Sequence, residues 1–149
     1  MIKLIPYDEA HADLLELTPA DNERYGDVNK FMDNPLAKYG TNFTCIGDGR
    51  ILVVGGIFQA SVHTGYGWTM VSKYAPAAGL RVFRLVKKQL EAMMADMQIH
   101  RIETANLQGA TEHHKWCRLL GFVEEGPLWQ YDDQRRDYIR FAKLIQKGA

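Results

Sequence analysis

The residues of this chain best suited to proton chemistry lie between positions 103 and 117. Glu103, Glu112, His113 and His114 are candidate bases. Cys117 is a candidate acid, because a thiol's ordinary pKa of about 8.5 lies closer to neutrality than a phenol's near 10. Each has a plainer reading. An ion pair with a nearby Arg or Lys would hold Glu103, whereas apolar neighbours would raise its pKa if it faced a cleft. Cys117 would pack as a small hydrophobe. Adjacent His113 and His114 suggest a metal pair, but neighbouring helix residues point about 100° apart and no third ligand follows at helical spacing. No metal site is expected. Asn106 either binds with its amide or turns the chain.

A second stretch suits an anion. It runs Lys73-Tyr74-Ala75-Pro76-Ala77-Ala78-Gly79-Leu80. The small residues Ala77, Ala78 and Gly79 let a phosphate approach the backbone, and the N-terminus of the following helix would favour its charge. Pro76 is tolerated at a helix start. Arg81 could add a charge-assisted bond. The alternative is a plain strand-to-helix connection. Lys87 and Lys88 lie further along and read as a solvated face.

These groups need a scaffold, and the periodicity supplies one. Ile2–Pro6 alternates as a strand. Asp8 caps a short helix carrying Leu14, Leu15 and Leu17. Thr18-Pro19 opens another helix, with Tyr25, Val28, Phe31 and Met32 on one face and Asn34-Pro35 ending it. Asn42–Ile46 and Ile51–Gln59 form a hairpin across Gly47-Asp48-Gly49. Tyr66–Val71 is a strand. Leu80–Met97 is the clearest helix, with a stripe of Leu80, Phe83, Val86, Leu90, Met93, Met94 and Met97. Arg101–Leu107, a helix near Thr111–Leu120, and strands at Phe122–Tyr131 and Tyr138–Ile145 complete the chain. A strand–helix–strand unit of this length favours a parallel pair. Tyr66, Trp68, Trp129 and Tyr131 are core aromatics or a ligand wall.

With 149 residues, the chain has the size of one domain, 1–149. Eighteen basic and eighteen acidic residues balance, which argues against a nucleic-acid or membrane-surface protein. The basic Arg81–Lys88 face is the one feature that would suit nucleic acid. No apolar run approaches the roughly 20 residues of a membrane span. Cys45 and Cys117 have no zinc or CxxC spacing and read as reduced thiols of a cytoplasmic protein.

Strand, short helix, Gly121-Phe122 and strand, following ATEHHKWCRLL, resemble the C-terminal half of the GNAT superfamily of acyl-CoA-dependent N-acyltransferases. The element order carries the resemblance over nearly the whole chain. It implies an α/β (α+β) GNAT fold: a mixed, mostly antiparallel sheet of about seven strands, a parallel pair of fourth and fifth strands, and about four helices. It implies acetyl-CoA as cosubstrate and a small-molecule or protein amine as acceptor, and it leaves a homodimer open. The backbone of Thr69, Met70 and Val71 would pair with pantetheine amides, the Ala77–Arg81 loop would hold the pyrophosphate, and Asn106 could hold a pantetheine group. Glu103 would be the base. Cys117 stands where the family often has a Tyr acid, Ala110 where it often has Asn, and His113 where it usually has a small residue. Tyr74 and Ala77 also depart from the family's Arg/Gln-x-x-Gly-x-Gly/Ala pattern, which Gly79 keeps. The chain is similar as well to small phage-encoded GNAT-like proteins with eroded cofactor motifs. An inactive binding or assembly protein is therefore the alternative.

Overall fold

A computed structural model of the chain describes residues 1–25 and 31–145, without the side chains of Pro35 and Leu36. The described elements are β1 (Ile2–Pro6), α1 (Glu9–Leu14), α2 (Pro19–Tyr25), α3 (Pro35–Lys38), β2 (Thr41–Gly47), β3 (Arg50–Gln59), β4 (Thr64–Val71), α4 (Leu80–Met97), β5 (Arg101–Leu107), α5 (Thr111–Leu119), β6 (Val123–Leu128) and β7 (Tyr138–Leu144). The strands form one sheet in the order β1-β2-β3-β4-β5-β7-β6. Among the described strands only β4 and β5 run parallel. That is the sheet expected from the sequence.

Local chemistry explains the element boundaries. The Asp8 side chain accepts the Ala10 N–H at 2.9 Å, and the Asp8 N–H donates to His11 Nδ1 at 3.1 Å, closing a capping box at α1. At α2, Thr18 Oγ1 accepts the Asp21 N–H and Pro19 takes the first helical position. The hairpin turns at Asp48-Gly49. Gln98 ends α4 in the left-handed conformation.

The two faces of the sheet are covered differently. Val82, Val86, Leu90, Met93 and Met94 of α4 pack with Ile102, Trp116, Phe122 and Phe141 on one face. On the other, Ala12, Leu15, Met32 and Ala37 pack against Val54, Trp68 and Met70. Some sequence expectations need correction. Leu80 is 53% exposed and Leu14 65% exposed, so neither belongs to the core; Val82 takes the place assigned to Leu80. Pro35 opens a further helical turn rather than only ending one. Trp129 and Tyr131 lie beyond the end of β6, and Trp129 is exposed. Val28 lies outside the described residues.

Candidate functional site

The cleft arises where two strands part. β4 and β5 are paired only over Thr64–Tyr66 and Arg101–Glu103. Beyond that point they diverge, and the facing edges need other partners for their backbone groups. The Ser72 N–H bonds to Leu52 on β3 at 2.8 Å. By strand alternation, Val71 and Thr69 direct their N–H and C=O groups the opposite way, into the gap.

The chain itself fills that gap. Leu17 forms an isolated antiparallel bridge with Ser72. The Thr18 N–H donates to the Val71 carbonyl at 3.0 Å, and the Lys73 N–H to the Glu16 carbonyl at 2.9 Å. The Val71 N–H donates to Asp21 Oδ2 at 2.6 Å. One turn on, Arg24 donates to Asn106 Oδ1 at 3.2 Å and to the Tyr66 hydroxyl at 3.0 Å, tying both strands together. Spacing i, i+3 puts Asp21 and Arg24 on one face of α2. From the other side, Trp116 of α5 donates its indole N–H to Thr69 Oγ1 at 2.9 Å and packs on Phe83 of α4. What remains is a cavity of about 20 Å³ lined by Asp21, Arg24, Asn106, His113, Trp116 and Cys117 among others. That is room for roughly one water.

Electrostatics inside the gap are unusual. Asp21 is 1% exposed, and burial pushes its carboxyl up to about 7 against the opposing pull of the Val71 N–H and Arg24. His113 Nε2 lies 3.2 Å from Asp21 Oδ1 but out of line for a hydrogen bond, and it has no other partner among the described residues. Burial, with Arg24 and His114 adding to it, lowers His113 to about 4. Its imidazole is therefore neutral near pH 7.

The sequence-derived candidates fall in separate places. Cys117 is 4% exposed and accepts from Asn106 Nδ2 at 3.0 Å. Burial pushes its thiol up to about 11, although Asn106 and Arg24 pull it down. A thiol held so high is a poor proton donor, so the packing reading fits this environment better. Glu103 is paired with Arg101 and lies 3.9 Å from Arg140. Strand alternation puts it on the opposite face of β5 from Asn106. His114 donates to the Leu107 carbonyl at 3.1 Å, a structural bond. Glu112 is exposed and pairs with Lys115. Among the described residues no group of three His, Cys, Asp or Glu is placed to hold a metal.

The anion stretch is arranged separately. Pro76–Ala78 forms a 3-10 turn, and Gly79 then adopts φ 74°, a conformation that favours glycine. No side chain caps α4, and a Cβ added at Gly79 would meet nothing within 4 Å. Ala77, Leu80 and Arg81 are exposed around it.

No family model matches the sequence, and no curated protein matches it. Solved structures do match. Ard1 from Thermoplasma volcanium superposes with a TM-score of 0.74 at 8% identity, covering 98% of this chain and 99% of that one. A GNAT-family acetyltransferase from Bacillus anthracis gives 0.72 at 14% identity, covering 96% and 94%. The chain has the GNAT fold. A spermidine N-acetyltransferase from Vibrio cholerae, solved with CoA and spermine, gives 0.68 at 12% identity over 96% and 95% of the two chains.

A GNAT cofactor can now be tried against these residues. The pyrophosphate end fits: Gly79 and the uncapped start of α4 are open. Along the expected pantetheine stretch, Thr69 faces the gap but Met70 and Val71 have no backbone group free for the arm. Both backbone groups of Val71 are engaged by α2 and its lead-in, and Met70, by alternation, points its own toward β3. Sequence reasoning missed Asp21 and Arg24. Their i, i+3 spacing was the one available signal.

Proposed function

We propose that this GNAT-fold protein acts as a binding or assembly component rather than as an acetyl-CoA-dependent enzyme. One observation carries the reading: the β4 edge that would receive pantetheine is bonded to the chain's own residues 16 to 21. The environment of Cys117 agrees with it, since a thiol that burial pushes up to about 11 is a poor proton donor. The two cysteines are unpaired and buried, which supports a reducing, cytoplasmic setting. No helix among the described residues is long and apolar enough to cross a membrane.

A second reading is retained because of the open Gly79 loop. In it, the protein transfers an acetyl group from acetyl-CoA to a small-molecule or protein amine. Ala77, Ala78, Gly79, Leu80 and Arg81 would hold the phosphates, Met70, Val71 and Asn106 would lie along the arm, and Glu103 would serve as base. Cys117 would be the acid.

A thermal-shift titration separates the two. At 100 times its dissociation constant, a ligand specific for the folded state adds about 2.7 kcal/mol. The expected result is no shift with acetyl-CoA or CoA up to millimolar concentration. A saturable shift that Gly79→Glu abolishes, with turnover on an amine panel, would establish the enzyme instead. Size-exclusion chromatography with light scattering tests the homodimer.

A further inference from the structure

We propose that α2 is a reversible plug: it leaves the β4–β5 gap as a unit while the rest of the domain stays folded. The argument rests on what holds it. Among the described residues α2 runs from Pro19 to Tyr25; its one fully buried side chain is the Asp21 carboxyl, and its one apolar anchor is the half-buried Tyr25, edge-on to Phe31. The core elements are held by apolar side chains, as α4 is by Val82, Val86, Leu90, Met93 and Met94. Beside Tyr25, the contacts of α2 and of Thr18 before it among the described residues are polar: Thr18 and Asp21 to Val71, Arg24 to Asn106 and Tyr66, and the Glu23 carbonyl to Arg136. Water replaces polar bonds at small net cost, whereas it does not replace apolar packing. Segments with few buried apolar contacts open locally, ahead of global unfolding.

The interior contact beneath α2 is also poorly matched. The Asp21 carboxyl is buried beside a His113 Nε2 that has no aligned partner. Arg24 has no carboxylate within ion-pair distance among the described residues; its guanidinium lies 4.7 Å from the Tyr25 ring centre and 5.5 Å from that of Tyr138. Opening hydrates all three groups at once. It also releases the Val71 N–H and C=O and uncovers the gap for whatever the protein binds. The plug does not depend on whether that partner is acyl-CoA.

Cys117 reports the opening, because it lines the gap with Asp21, Arg24 and His113, while Cys45 is sealed on β2 and is 0% exposed. The test is labelling of each thiol in the wild type with a thiol reagent, each rate normalised to that of the unfolded chain and followed against low urea. The expected result is Cys117 labelling at least about tenfold faster than Cys45, with a shallow urea dependence, because sub-global opening exposes less surface. Asp21→Ala and Arg24→Ala, each checked by circular dichroism, should raise the Cys117 rate and leave Cys45 nearly unchanged relative to global stability. Equal normalised rates with the same steep urea dependence for both thiols would overturn the plug. So would folded variants that leave the Cys117 rate where it was.

Discussion

Replacing Asp21 by Asn should make stability, measured against the wild type, rise with pH between about pH 4 and 6.5. In the native protein the carboxyl is pushed up from 3.8 to about 7, and the imidazole is lowered from 6.5 to about 4. Over most of this window the folded pair holds one proton, on Asp21. The unfolded chain also holds one, on the histidine. Stability follows the difference in bound protons, so the pair contributes almost no slope. The Asp21→Asn protein loses this cancellation. Its folded state keeps His113 neutral while its unfolded state protonates it, so the unfolded chain binds more protons. Stability is then present above the unfolded histidine value and lost as pH falls toward about 4.

The opposite variant has the opposite sign. In His113→Asn the folded state holds the Asp21 proton up to about 7, whereas the unfolded state releases it near 3.8. The folded chain binds more protons, and stability falls as pH rises through that range. One proton of difference is worth about 1.4 kcal/mol per pH unit, so each variant should diverge from the wild type by roughly 2–3 kcal/mol across two units. Urea midpoints at four values between pH 4.5 and 7.5 measure this. Three parallel profiles would mean that folding displaces neither group's pKa.

The sequence was most legible where a single element explains its own pattern. Ile2–Pro6, Leu80–Met97 and Arg101–Leu107 are bounded in the fold as their periodicity indicates. Even there, the stripe on α4 was displaced, because Leu80, the first residue of the helix, is exposed and Val82 is buried in the core instead. The cleft was less legible. Its defining contact, Asp21 to Val71, spans 50 residues, and a local pattern carries no information about which strand edge a helix will meet. The absent Tyr at position 117 was visible in the chain. The occupant of the gap was not, because an acid in the first turn of a helix is an ordinary surface feature until a strand edge is brought against it.

Gly121 is where the family resemblance and the fold's own physics coincide, and Gly121→Ala should be among the most damaging small substitutions. Gly121 has φ 93°, a conformation that costs a residue with a Cβ roughly 1–2 kcal/mol. The added methyl would also lie 2.5 Å from Lys143 Nζ. That ammonium is on β7, 6% exposed, donating to the Leu120 carbonyl at 2.7 Å and lying 3.4 Å from Glu91. Moving it aside would weaken a buried charged bond worth about 1.5–3 kcal/mol. The combined expectation is a loss of about 2.5–5 kcal/mol, measured by urea denaturation. A double-mutant cycle divides the two causes. In a Lys143→Met background the ammonium is gone, so Gly121→Ala should cost only the conformational part. An unchanged cost there would place all of the penalty in the backbone. The Gly-Phe signature would then mark a chain reversal alone, rather than a seat for the buried lysine that joins β7 to α4 and α5.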